Sequence, residues 1–266
     1  MYYISGTPAF GTLIYQLILT YVHCLNYNIK FIGAFINKED NHNDAINHYK
    51  YQKKHSCIPL NYSVIEEKIM LCQMFDMPFL TTILPDQKPL PNASRLYTRN
   101  SKQFILEKNL EIIKSKFKYY KKNDIFTVSI HIRRGDVNCG LKDRFMEDTY
   151  YVNLIMLVKG ILEKHNIQHA IHIHSEYNLN KKIYEEISGC TLFLSEDVKE
   201  GLVDMINADI FIMSNSTYSM VPAIYNNNLV IYNPFFFNPL KHWVISSSPD
   251  LKKYIEKETL KMNSRY

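Results

Sequence analysis

From Ile125 onward the chain alternates short β-branched runs with segments whose apolar residues recur at helical spacing. The runs are residues 125–132, 169–174, 191–194, 209–213 and 229–232, and the helical segments between them are 147–165, 179–187, 199–208 and 216–225. Few folds satisfy such a pattern. Consecutive strands separated by helices must run parallel, because the helix is the crossover a parallel pair needs. Five strands with four intervening helices predict a doubly wound parallel sheet, closed by a terminal helix over 251–262.

The first half is less regular. Residues 10–25 read as an apolar helix and 30–36 as a strand. Residues 38–55, which hold His42, His48 and His55, read as polar loop or helix without metal-ligand spacing. Helix, strand and helix follow over 64–75, 79–84 and 102–117, with Pro85, Pro89 and Pro91 breaking regular structure over 84–92. A polar stretch at 118–124 is the candidate hinge. The expected organisation is therefore α/β throughout, with two Rossmann-like halves, 1–122 and 123–266, and a five-stranded parallel sheet in the second. A ligand cleft is expected between them.

The first strand of the second half ends in His131-Ile132-Arg133-Arg134-Gly135-Asp136. Ligands of open α/β sheets bind outside the carboxyl ends of the strands. Guanidinium groups match phosphate oxygens bidentately and stay charged, so a pyrophosphate-bearing ligand is expected here. Alternation puts His131 and Arg133 on one face, and Gly135 lets Arg134 and Asp136 swing toward the same crevice. The plainer alternative is an arginine paired with a nearby acid. Arg-Gly-Asp is also an adhesion tripeptide, but here it follows a buried strand instead of tipping a loop.

A second constellation, Ser214-Asn215-Ser216-Thr217-Tyr218-Ser219, joins a strand to a helix. Helix N-termini expose unpaired N–H groups and bind phosphate, while the plainer reading is a Ser/Thr cap. His172 and His174 share a strand face without a visible third metal ligand, and Asp204 is a helix-face acid or a cleft residue.

Net charge is +5, which suits an anionic small molecule and lacks the dense basic stripe of a nucleic-acid binder. The run from Lys114 to Lys122 is a candidate peripheral membrane contact or a solvated helix end. Five cysteines without Cys-x-x-Cys spacing point to reduced thiols. With no long apolar span and no basic leader, a cytoplasmic location is expected.

Residues His131 to Asp136 followed by Asn215 to Ser219 resemble the α1,2-fucosyltransferase family (glycosyltransferase family eleven), with α1,6- and protein O-fucosyltransferases as more distant relatives. Tyr150-Tyr151, Ser175-Glu176 and Asp204 through Asp209 match further features, and the likeness covers about 125–232. Gly11 to Gln16 stands where the family has Gly-Asn-Gln-Leu-Phe-Gln, with Thr12-Leu13 replacing Asn-Gln, and Glu176 replaces an Asp. The resemblance implies a GT-B arrangement, with an acceptor-side first domain and GDP-sugar binding in the second. It implies inverting, metal-independent transfer of L-fucose from GDP-β-L-fucose to a glycan hydroxyl, α1,2 on a galactoside. No cofactor and no metal site is implied; the partners are the GDP-sugar donor and the glycan acceptor. By the same resemblance Arg133, Asp136 and His131 form the catalytic set. Arg133, Arg134, Ser175, Asn215, Ser216, Thr217 and Ser219 bind the donor. Use of another GDP-sugar, or silent binding of one, are the alternative readings.

Overall fold

A computed structural model of the chain describes residues 2–4, 10–35, 64–80, 88–89, 98–135, 137, 143–194, 197–235 and 237–266. The chain divides into two compact units, Met1–Tyr119 and Tyr120–Tyr266.

The first unit carries a parallel sheet of four short strands, β1 (Tyr2–Ile4), β2 (Phe31–Phe35), β3 (Phe79–Leu80) and β4 (Lys88–Pro89), in the order β3-β2-β1-β4. Its helices are α1 (Phe10–Asn26), α2 (Val64–Met74), α3 (Arg99–Lys108) and α4 (Leu110–Ser115). Helix α1 buries Leu13, Ile14, Leu17, Ile18 and Val22, a stripe at helical spacing that leaves no stable place for the segment except a core. Gly33 sits at φ +115°, and a Cβ there would lie 2.0 Å from the Pro78 carbonyl oxygen.

Two expectations for this unit change. The single helix read over 102–117 is two, because the Asn109 side chain donates back to the Ile105 carbonyl (2.8 Å) as its backbone leaves the helix at φ −114°. Residues 84–92, read as irregular, include β4, which occupies a sheet edge where a proline's missing N–H costs little. The segment 38–55, with His42, His48 and His55, lies outside the described residues.

In the second unit the strands β5 (Phe126–Ile132), β6 (His169–Ser175), β7 (Cys190–Leu194), β8 (Ile210–Ile212), β9 (Leu229–Tyr232) and β10 (Val244–Ile245) form one parallel sheet in the order β10-β9-β8-β5-β6-β7. The helices are α5 (Asp148–Lys164), α6 (Lys181–Glu185), α7 (Val198–Asn207), α8 (Thr217–Tyr225) and α9 (Leu251–Asn263). The parallel doubly wound sheet is as predicted, but it has six strands and not five. The sixth is only two residues long, too short to show alternation. It follows an aromatic turn that folds back on the preceding strand, where the Tyr232 hydroxyl accepts the Phe235 N–H at 3.1 Å.

The two faces of this sheet differ. Val128, Ile130, Ile132, Ile171, Ile173, Ile210, Ile212 and Ile231 meet Leu154, Ile155 and Val158 of α5 and Leu251 and Ile255 of α9 in one apolar cluster. Burial of that many branched side chains is the main source of this unit's stability. The alternate residues of β5 and β6, Ser129, His131, His172 and His174, are on the other face.

Candidate functional site

The chain runs outward from β5 through β6 to β7, then returns to place β8 against the free side of β5. That reversal is a topological switch point, and it opens a crevice at the carboxyl ends of β5 and β8. Ile130 pairs with Ile212 on one side, and Ile132 with Ser175 on the other. Three segments far apart in sequence therefore end at one place: the Arg133-Arg134-Gly135 turn, Ser175-Glu176, and the residues from Ser214 to Ser219.

The two arginines part company there. Arg133 Nη1 donates to Glu176 Oε1 at 2.6 Å, with the Arg133 side chain still 21% exposed. Arg134 turns inward and is only 6% exposed. It pairs with Asp148, donates to the Arg133 carbonyl at 2.9 Å and lies over the rings of Phe145 (4.7 Å) and Tyr151 (5.8 Å). Asp148 is shared with the Tyr184 hydroxyl, which donates to it at 2.7 Å. The expectation that Gly135 would let Arg134 swing into the crevice is corrected: Gly135 does adopt φ +68°, but the guanidinium already has a half-buried carboxylate and two aromatic faces. Asp136 lies outside the described residues.

His131 and Ser219 also lie beneath the crevice. His131 Nδ1, Ser214 Oγ and Ser219 Oγ close a triangle of hydrogen bonds at 2.6, 2.8 and 2.9 Å, and the Ser214 N–H donates to Ser219 Oγ at 3.1 Å. Ser219 is fully buried. Burial above all, then Arg133 and His174, holds the His131 imidazole well below its usual pKa, so it is neutral. The triangle ties the end of β5 to the first turn of α8. Ser175 works similarly, donating its hydroxyl to the Ile132 carbonyl at 2.7 Å. Asn215 is buried and bonded to the Asp143 carbonyl (3.3 Å) and to the Asn233 amide (3.2 Å). Ser216 is the N-cap of α8, accepting from the Tyr218 N–H at 3.1 Å, and Thr217 opens the helix half-buried. The cap reading is thus realised.

One cluster is legible only after folding. Asp204 of α7 accepts from His172 Nδ1 (2.9 Å), from His174 Nε2 (2.8 Å) and from the Ser129 hydroxyl. The Phe193 ring stacks on His174. The sequence displays these residues singly; strand register sets Ser129 beside His172, and α7 brings the acid to both. Burial opposes the charge on Asp204, but the hydrogen bonds from the two histidines outweigh it and hold the carboxyl well below the usual range. A depressed folded pKa adds stability that is present above the ordinary aspartate value, about 3.9, and is lost as pH falls below it. Asp204→Asn is expected to be less stable than wild type at pH 7 by about 2 kcal/mol, with the gap closing on acidification. Melting temperatures from pH 7 to pH 2.5 check this, and a gap independent of pH contradicts it. Among the described residues no group of three or more His, Cys, Asp or Glu side chains is arranged to hold a metal ion.

The basic run is partly committed within the protein. Lys116 and Lys118 both pair with Asp76 at 3.1 Å, and Lys122 lies over the Tyr266 ring at 5.2 Å. Among the described residues no helix is long and apolar enough to cross a membrane.

No protein-family model matches the sequence, and no curated protein does. Among solved structures the chain is similar to E. coli ADP-heptose lps heptosyltransferase II, at 9% identity over 99% of this chain and 98% of that one, TM-score 0.48. It is similar to E. coli heptosyltransferase WaaC with ADP-2-deoxy-2-fluoro heptose at 11% identity, over 98% and 99% of the two chains, TM-score 0.44. POFUT1 in complex with GDP aligns at 10% identity over 91% and 97%, TM-score 0.45. Overlaps this loose assign no chemistry, which is left to the side chains at the strand ends.

Proposed function

We propose that the chain is a glycosyltransferase that binds GDP-β-L-fucose at the switch point of its second unit and transfers L-fucose, with inversion and without a metal ion, to a glycan hydroxyl. In this reading the linkage is α1,2 on a galactoside. The two units are the halves of a GT-B enzyme, the first serving the acceptor. The observation that carries the proposal is the joining of the two sequence motifs, with the Arg133 turn fastened to the first turn of α8 through His131, Ser214 and Ser219. A partly exposed guanidinium and a helix N-terminus that follow neighbouring strands, β5 and β8, are suited to a diphosphate.

The acceptor hydroxyl oxygen forms its bond to the sugar C1 as the bond from C1 to the diphosphate oxygen breaks, and its proton passes to solvent. Negative charge then grows on the departing GDP, and Arg133 with the α8 N-terminus is placed to stabilise it. Thr217 and Ser216 line that terminus. His131, Ser175, Ser219, Asn215 and Arg134 hold the crevice in shape from beneath.

A ligand that binds only the folded state raises stability by mass action, by about 2.7 kcal/mol at a hundredfold excess over Kd. GDP and GDP-fucose are expected to raise the melting temperature by several degrees, and UDP to leave it unchanged. Turnover on galactoside acceptors should follow with GDP-fucose. Stabilisation by every GDP-sugar without transfer would favour a silent binder. No response to any guanine nucleotide would sink the proposal.

A further inference from the structure

We propose that Glu176 is the positioning residue for Arg133, a carboxylate at the end of β6 that holds the guanidinium in the orientation a donor diphosphate meets; this rests on the donor reading of Arg133 given above.

Both carboxylate oxygens are used. Oε1 accepts from Arg133 Nη1 at 2.6 Å and Oε2 from the Arg134 backbone N–H at 2.7 Å. The side chain packs on Gly135, where an added Cβ would stand 3.3 Å from Oε1 and 3.4 Å from Cγ. Two residues on, Asn178 accepts the Gly135 N–H at 2.8 Å and returns its own amide to the Gly135 carbonyl at 3.3 Å. The turn after β5 is therefore fastened to the turn after β6 along its length, with Glu176 in the middle and 16% exposed. A loose surface ion pair would have neither the backbone donor nor the glycine packed against it.

The length of the side chain matters. Aspartate is one methylene shorter and cannot span from β6 to both the guanidinium and the backbone N–H. Glutamine has the length but only one acceptor oxygen for the two donors.

Two effects of this carboxylate oppose each other. Its negative charge weakens the attraction of the crevice for a diphosphate. Its hydrogen bonds fix a long, flexible cation that would otherwise lose rotamer freedom on binding. The double anchorage says that the second effect wins, so removing the charge should weaken anion binding.

The experiment is GDP titration calorimetry on the full chain, followed to millimolar GDP, for wild type, Glu176→Gln, Glu176→Asp, Arg133→Ala and the Arg133→Ala/Glu176→Gln pair. Melting temperatures are taken alongside. The expected result is a GDP Kd raised about tenfold in each Glu176 variant, with no further loss when Glu176→Gln is added to Arg133→Ala. Unchanged or tighter GDP binding by Glu176→Gln overturns the proposal. So does an equal loss in the Arg133→Ala background, which would make Glu176 a general structural support. Wild-type binding that depends on Arg133 but not on Glu176 removes this inference alone, whereas no GDP binding by wild type removes the donor reading with it.

Discussion

Arg133→Ala should raise the GDP Kd by about a hundredfold while lowering the melting temperature by only a degree or two. Among the described residues the Arg133 guanidinium is a cation at the switch point that is both fixed and still partly open, so the donor loses charge-assisted hydrogen bonds. The fold loses little. The partner, Glu176, is half-buried but keeps its bond to the Arg134 N–H, so its carboxylate is not left without a donor and the loss to the fold is about 1 kcal/mol. Calorimetry and a thermal melt of the same preparation test both halves. A large drop in melting temperature with unchanged GDP affinity would mean that Arg133 is structural.

Arg134→Ala should do the reverse, destabilising the second unit by about 2–3 kcal/mol, because the guanidinium itself is buried even though its partner Asp148 is only half-buried. The guanidinium fills a cage made by Asp148, Phe145 and Tyr151. Its removal leaves Asp148 with the Tyr184 hydroxyl alone to offset its charge among the described residues and opens a void between two rings. Because such a pair costs much of its attraction in desolvation, replacing Arg134 and Asp148 together by Met and Leu should recover most of the loss. Guanidinium-chloride unfolding of the two variants measures this. An Arg134→Ala cost below about 1 kcal/mol, the range of an exposed pair, would show that the cage contributes little. Taken with Arg133, the contrast is sharp: adjacent and identical residues are expected to fail in opposite ways, one in binding and one in folding.

That contrast also marks where reading the chain succeeds and where it stops. The alternation of β-branched runs with helical segments predicts the parallel sheet, since each run needs its neighbours and each helix needs a sheet face to cover. It misses β10, two residues long, and the break at Asn109, where one side chain competes with the helix. In the motif, Arg133 and Arg134 look alike because guanidinium chemistry is the same at both; which one reaches the crevice depends on where Asp148 and Tyr151 of α5 lie. Ser219 reads as an exposed hydroxyl of a phosphate-binding helix start and is instead fully buried against His131. The trio of Asp204, His172 and His174 has no sequence signature, since its spacing is set by strand register and by the docking of α7.

The sequence by itself determined the α/β class, the strand-end location of both motifs and the fixed positive charge of the first. Those follow from local rules: the period of apolar residues, the turn freedom of Gly135 and the fixed charge of arginine. The tertiary structure alone decided that β5 and β8 lie side by side, that Glu176 meets Arg133, and that Arg134, His131 and Ser219 are buried. These contacts join residues 43 to 88 positions apart or depend on a helix packed over them, and such pairings are settled by how the whole sheet buries its surface.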